Sequence, residues 1–301
     1  MGNKQSISGK IYRAIAQREN NKVVVDLFCG GFSISQIFIE NGWKVYSNDK
    51  NKYVVALIRE ILFGDKMKPI FDKPKFITRD EFFKVIADDS DSPDWYKGYV
   101  MCVWSFGNAQ TNYLFGKDVV VIKKAGHELV INKTINTEII PLSEETQAKI
   151  ITLNDWHKRR IALRKYGTQA GNARKFNELQ QLQQLQQLQR LERLQQLEQL
   201  ERLERLSDLD YQDVEIPKDA VIYCDPPYAG TAEYKEGGFD NRAFWEWANK
   251  ISKTHKVYVS EYNAPAGWDY ILSIPKRSTL AKSANQKNEK LFIWKGVDDD
   301  E

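Results

Sequence analysis

An aspartate, two prolines and a tyrosine follow a short apolar run, as Asp225–Pro226–Pro227–Tyr228 after Ala220–Cys224. An apolar run closed by a proline pair predicts a buried parallel strand that ends at the prolines. In open α/β sheets, ligands bind outside the carboxyl ends of such strands. Because proline fixes φ, the aspartate and the ring would form a rigid polar clamp that suits a flat heterocycle with an exocyclic amine. The competing interpretation is an ordinary strand-to-turn junction.

A second motif lies near the amino terminus, where the apolar run Val23–Phe28 leads into Cys29, Gly30 and Gly31. Glycines at a strand-to-helix turn allow the backbone to approach a ligand closely, and the following helix presents unpaired N–H groups. The next predicted strand, Lys44–Asn48, ends at Asp49. An acid about 20 residues beyond the glycines is the ribose-hydroxyl acceptor of nucleotide-binding α/β units.

These segments, in this order, resemble the motifs of the Dam-type DNA adenine methyltransferases. The motifs are Asp26–Gly31, Asn48–Asp49 and Asp225–Tyr228, and Gly2–Ile7 is similar to the lysine-bearing motif that opens those chains. Further segments resemble elements of a phage-type branch: Trp104–Asn108, Val259–Tyr262, Ala264–Pro265 and Lys290–Ile293. A nicotinamide enzyme is disfavoured, because the chain has no Gly-x-Gly-x-x-Gly and Asp-Pro-Pro-Tyr has no role there.

The resemblance implies transfer of a methyl group from S-adenosyl-L-methionine to the exocyclic N6 amine of a flipped adenine in DNA. The implied catalytic residues are Asp225, Pro226, Pro227 and Tyr228, with Asp225 and the Pro226 carbonyl accepting the amine hydrogens and Tyr228 stacking on the base. The implied cofactor-binding residues are Lys4, Asp26, Phe28, Cys29, Gly30, Gly31, Asp49 and Asp225. A solvated lysine at position 4 and a structural acid at position 26 are the alternatives.

One departure concerns the glycine turn, which in the family commonly reads Phe-x-Gly-x-Gly. Here the residues are Phe28–Cys29–Gly30–Gly31–Phe32, so the second glycine stands one place earlier. This shift changes the backbone contacts available to the cofactor.

The predicted fold is α/β: a Rossmann-like, doubly wound methyltransferase sheet with an inserted, mostly helical DNA-recognition region and a Leu/Gln-rich segment. The apolar run Tyr99–Ser105 is expected to be a strand of that sheet. The predicted segments are a cofactor-binding part at 1–105, a DNA-recognition region at 106–176, a repeat insert at 177–207, a catalytic part at 208–297 and an acidic tail at 298–301.

DNA contacts are expected from a basic helix at Leu153–Tyr166. Its candidate phosphate-binding residues are Arg159, Arg160, Arg164 and Lys165, for which the alternative is a solvated face. Trp104, Phe106 and Tyr113 are candidate DNA wedges, with core packing the safer interpretation for Trp104.

Leucine recurs at every third position from Leu179 to Leu206, among glutamine, glutamate and arginine. Every residue type here favours helix, yet each three-residue step turns a helix by about 300°, so the leucine stripe drifts around it. A short 3₁₀-like or solenoid conformation is the alternative. We expect a spacer or packing arm with no part in the chemistry.

The composition excludes few classes of protein. The net charge of +3, from 44 basic and 41 acidic residues, is no nucleic-acid signature by itself. Three cysteines without paired spacing favour a reducing compartment, and no metal site or membrane span is expected, so a cytoplasmic protein is the default. Two other functions stay open: methylation of a glutamine amide in protein, and DNA binding without catalysis. A link to restriction–modification is part of the expectation.

Overall fold

The computed structural model describes residues 4, 6–106, 110–169, 182–228, 239–275 and 288–295, without the side chains of 168 and 169. The helices are α1 Ser8–Ala16, α2 Ser33–Glu40, α3 Lys52–Phe63, α4 Lys68–Asp72, α5 Arg79–Ile86, α6 Asp94–Trp104, α7 Val120–Asn132, α8 Glu144–Ile151, α9 Trp156–Gln169, α10 Gln183–Leu194, the 3₁₀ helix Leu200–Arg202 and α11 Asn241–Ile251. The strands are β1 Val23–Asp26, β2 Lys44–Asn48, β3 Ser105–Phe106, β4 Asn112–Tyr113, β5 Leu203–Ser207, β6 Val221–Cys224, β7 Val257–Glu261, β8 Trp268–Pro275 and β9 Asn288–Trp294.

The described chain forms two compact units, one within 1–58 and 197–301 and the other within 59–196. The first unit contains a seven-stranded sheet in the order β5-β2-β1-β6-β7-β9-β8. The first five strands in this order pair in parallel, and β9 runs antiparallel to both neighbours. This mostly parallel sheet confirms the predicted Rossmann-like methyltransferase fold.

The centre of the sheet is buried on both faces, because β6 and β7 have no exposed residue. One face packs on α11 through Phe244 and Ala248, which are fully buried against Ile222 and Val259. Near-continuous apolar runs of this kind are typical of parallel strands covered by helices on both sides. Rigid central strands therefore support the residues that follow their carboxyl ends.

The second unit is mainly helical, with the short hairpin β3–β4. The prediction of a strand at Tyr99–Ser105 was wrong, since all but its last residue belong to α6. This helix begins at Asp94, directly after Pro93, and its later residues are almost all buried. A short apolar run has the same appearance in a buried strand and in a helix that is buried on all sides, so periodicity alone could not separate them.

The leucine repeat is divided between the two units. In α10 the four leucines at 185, 188, 191 and 194 are all buried, and residues 203–207 form the edge strand β5 beside β2. Over the three steps from 185 to 194 the stripe drifts by only about 180°, so it forms one broad apolar side. Residues 179–181 lie outside the described residues.

Candidate functional site

The chemistry-bearing residues of the first unit lie where the sheet order reverses. From β1 the chain continues through β2 towards β5, whereas β6 and β7 lie on the other side of β1. Asp26 is paired in register with Tyr223, two residues before Asp225. The switch point thus brings the glycine turn and Asp225 to one edge of the sheet, which is where ligands bind in such folds.

Asp49 is joined to the glycine turn by hydrogen bonds. The main-chain N–H of Gly30 donates to Asp49 Oδ2 over 2.9 Å, and that of Asn51 donates to Oδ1 over 2.9 Å. Burial raises the pKa of Asp49, and the two N–H groups lower it in part. A carboxylate oxygen can accept more than one hydrogen bond, so Asp49 keeps acceptor capacity for a ribose hydroxyl.

Phe32 explains how the turn closes without its usual second glycine. It occupies the place of that glycine and adopts the left-handed conformation, with φ +65°, while Gly30 has φ +45°. The left-handed region costs a residue with a side chain about 1–2 kcal/mol, and the fully buried ring offsets this cost. The turn therefore accommodates phenylalanine in a left-handed conformation at this position.

Asp26 is buried beneath the turn, with 1% of its surface exposed. Ser35 of α2 donates to Asp26 Oδ2 over 2.8 Å and also contacts the Ser47 hydroxyl over 2.7 Å. Burial raises the pKa of Asp26 to about 7; the Ser35 hydroxyl lowers it in part, and the carboxylates of Asp225 and Asp49 raise it further. Asp26 thus links β1 to the first helical turn of α2 and lies beneath the glycine turn.

Lys4 lies at the centre of a buried polar network. Its ammonium is 3.0 Å from Asp225 Oδ1 and also contacts Glu289 Oε1 and the Tyr228 hydroxyl. Burial lowers the pKa of Lys4, but the carboxylates of Asp225 and Glu289 outweigh it, so the pKa is raised. The alternative of a solvated lysine does not hold in this structure, since only 7% of Lys4 is exposed.

Asp225 and Tyr228 meet in the same network. Burial raises the pKa of Asp225, while the Lys4 ammonium and a hydrogen bond from Tyr228 lower it in part. Burial and the charge of Asp225 raise the pKa of Tyr228, so its hydroxyl stays neutral. The Tyr228 ring packs edge-on against Tyr262, with centroids 4.8 Å apart. The site therefore presents a carboxylate and an aromatic ring held side by side.

Sequence reasoning missed Glu289, the second carboxylate on Lys4. It is 8% exposed and lies in β9, next to the apolar residues of that strand. The available signal was an acid immediately before Lys290–Trp294, at the start of a predicted buried strand.

Cys29, a predicted cofactor-binding residue, is buried, and burial raises the pKa of its thiol, which fits a packing role.

The first third of the sequence carries the lysine, the glycine turn and Asp49. Residues 1–97 match the family model of the D12 class N6 adenine-specific DNA methyltransferases. This match supports a Dam-type DNA adenine methyltransferase. The same match supports methylation of adenine N6 in DNA with S-adenosyl-L-methionine, the methyl donor of that family. A search of curated proteins found no match.

The residues of the site fit this methyl donor. Asp49 can accept a further hydrogen bond. At Gly30 of the neighbouring turn, an added methyl group would meet no atom closer than 3.9 Å, so there is space for a ligand to approach the backbone. Over the described ranges, no three His, Cys, Asp or Glu side chains are grouped to hold a metal ion. No described helix is both long and apolar enough to cross a membrane.

The predicted DNA-binding residues lie on α9 of the second unit. Arg159 is buried and donates to the carbonyls of Val130, Leu153 and Asn154, whereas Arg164 and Lys165 are exposed. Arg160 is half-buried and donates to Gln189 Oε1 over 2.8 Å. Arg159 therefore helps to fix α9 in place.

The three candidate wedge residues differ in exposure. Trp104 is buried and donates to the Tyr99 hydroxyl over 3.2 Å, and Tyr113 is buried with its hydroxyl donating to the Ile77 carbonyl over 2.7 Å. Phe106 is 58% exposed. Of these three, Phe106 alone has a ring available to a base.

Proposed function

We propose that Asp225 and the Pro226 carbonyl accept the two hydrogens of the adenine N6 amine, and that Tyr228 stacks on the flipped base. The amine is a poor nucleophile because its lone pair is delocalised into the ring. Accepting its hydrogens favours a pyramidal nitrogen that can attack the methyl carbon. The observation that carries this proposal is the contact of Lys4 with both Asp225 and Tyr228. A nearby ammonium favours the ionised carboxylate that the role requires.

Pro227 keeps Tyr228 in position, because its fixed φ limits the path of the chain between Asp225 and the ring. Base flipping costs a few kcal/mol, which the stack and the two hydrogen bonds offset. The exposed ring of Phe106 is the proposed wedge.

The methyl donor supplies an electrophilic methyl group on a sulfonium. We assign its ribose hydroxyls to Asp49 and its close backbone approach to Phe28, Cys29, Gly30 and Gly31. Asp26 orients this turn through Ser35. Lys4 has three N–H donors and already contacts three groups, so its predicted contact with the cofactor carboxylate requires one of them to give way.

We propose that residues 106–176 contain the DNA-recognition region, with Arg160, Arg164 and Lys165 as phosphate contacts and Arg159 as their support. The remaining segment boundaries, at 1–105, 177–207, 208–297 and 298–301, are kept as proposals. We also propose that the chain belongs to the phage-type branch and is linked to restriction–modification. We propose a cytoplasmic location, where DNA and the methyl donor are both available. The tail at 298–301 lies outside the described residues.

The test compares Asp225→Ala and Asp49→Ala. We expect Asp225→Ala to abolish formation of N6-methyladenine. Asp49→Ala should weaken cofactor binding by about 1–3 kcal/mol, or roughly tenfold to a hundredfold. Asp269→Ala is the matched control, because this exposed aspartate pairs with Lys295 away from the turn.

Nucleoside analysis of DNA and digestion of protein substrates separate the alternatives. Methyl groups found only on protein glutamine would support the amide methyltransferase, and DNA binding without turnover would support the non-catalytic relative. Normal turnover of Asp225→Ala would contradict the assigned role.

A further inference from the structure

Four arginines from two helices of the second unit lie close together. Arg160 and Arg164 are four residues apart on α9, and Arg190 and Arg193 are three apart on α10. Residues three or four apart share one face of a helix. Arg164, Arg190 and Arg193 are all exposed.

Polar contacts fix these two faces side by side. Arg160 Nη2 donates to Gln189 Oε1 over 2.8 Å, and His157 Nε2 lies 3.0 Å from Glu192 Oε2. On its opposite side α10 is anchored by buried leucines. The repeat helix therefore cannot turn its arginines away from α9 without exposing its apolar side.

The pKa of Arg160 is affected by several nearby positive charges. Burial lowers its pKa, and Arg164, Arg190 and Arg193 lower it further. Its Nε is buried and has no hydrogen-bond partner among the described residues. The nearby acid Glu192 is directed to His157 instead. Gathering like charges is unfavourable in the isolated protein, which points to a polyanionic partner.

We propose that Arg160, Arg164, Arg190 and Arg193 form one surface that grips the phosphate backbone of DNA, with the leucine repeat supplying half of it. This surface, the arginine face, rests on the proposed function of the chain. Arginine suits phosphate because its planar fork donates two parallel hydrogen bonds. Phosphate contacts fix the position of a protein on DNA and carry no sequence information. The repeat is thus a binding element in addition to a packing arm.

The test removes the two repeat arginines from the full chain as Arg190→Gln with Arg193→Gln. Binding is measured across salt concentrations with two DNA duplexes: one that the wild-type protein methylates on adenine, called the adenine-site duplex, and one of unrelated sequence that it does not methylate. Removing one phosphate-binding charge reduces the log–log salt slope by about 0.9, so the pair should reduce it by about 1.8 on both duplexes.

Two controls accompany this variant. Arg190→Lys with Arg193→Lys keeps both charges and should keep most of the slope. Arg242→Gln with Lys295→Gln removes two exposed charges from the other unit and should leave the slope as in the wild type. Thermal unfolding checks that all variants are folded.

An unchanged slope in the Gln variant would overturn the inference, as would an equally reduced slope in the Lys variant. Weaker binding confined to the adenine-site duplex would do the same, because backbone contacts act on all sequences alike. These outcomes are distinct from failure of the proposed function, which is read as turnover of Asp225→Ala and not as a salt slope.

Discussion

The buried carboxyl of Asp26 makes the stability of the sheet depend on pH. Its pKa in the folded chain is about 7, against an ordinary value of 3.8. Between these values the folded chain holds a proton that the unfolded chain has released. Stability must therefore fall as pH rises through this window, and the fall ends above about pH 7.

The magnitude follows from the size of the pKa difference. Each pH unit within the window removes up to about 1.4 kcal/mol, and the whole window removes about 4 kcal/mol. Asp26→Asn cannot titrate, so it should lose this dependence. The amide also adds N–H donors where acceptors now stand, which changes stability at every pH by the same amount. The slope against pH is therefore the informative quantity.

The assay is urea unfolding of wild type and Asp26→Asn at half-unit steps from pH 4.5 to 8. We expect the free energy of unfolding of the wild type to fall relative to the variant, most steeply between pH 5 and 6.5. Asp269→Asn is the control, because this exposed aspartate should leave the slope unchanged. Parallel curves for wild type and Asp26→Asn would refute the buried, protonated carboxyl.

Two further predictions concern buried polar groups. Lys4→Met leaves the carboxylates of Asp225 and Glu289 without their ammonium partner, and should lower the free energy of unfolding by about 3–5 kcal/mol. Adding Glu289→Gln to this variant should recover part of the loss, measured by urea unfolding. If the losses of the two substitutions simply add, the network is refuted. Gln184 of α10 is fully buried, and neither its amide nitrogen nor its amide oxygen has a hydrogen-bond partner among the described residues. Gln184→Leu should therefore raise stability by about 1–3 kcal/mol, whereas a lower melting temperature would show that the amide is satisfied.

The sequence predicted the parts of the site that local chemistry determines. The strands before the glycine turn and before Asp225 end at Asp26 and Cys224, a few residues ahead of a glycine pair and a proline pair that interrupt strand structure, so the positions of these strands could be read from the sequence. Tyr99–Ser105 lacked such a signal. Its helix begins five residues earlier, after Pro93, and only burial on all sides made it resemble a strand.

The partners of Lys4 could not be predicted, because they depend on the order of distant strands. Lys4 and Glu289 are 285 residues apart and meet only because β9 inserts antiparallel between β7 and β8. No local pattern near either residue specifies that insertion. The contacts of Lys4 with Asp225 and Glu289 are thus determined by the strand order of the sheet, whereas the position of the Asp225 carboxylate is determined by its local sequence motif.

The leucine repeat shows why a period does not determine a conformation. A leucine at every third residue drifts by about 60° a step along a helix, so a long helix would expose some of them. The described repeat avoids this by limiting α10 to twelve residues and placing its last leucines in the 3₁₀ helix and β5. Since the buried leucines fix the rotation of α10, they also determine where Arg190 and Arg193 emerge. The packing of the repeat is in this way the physical cause of the arginine face.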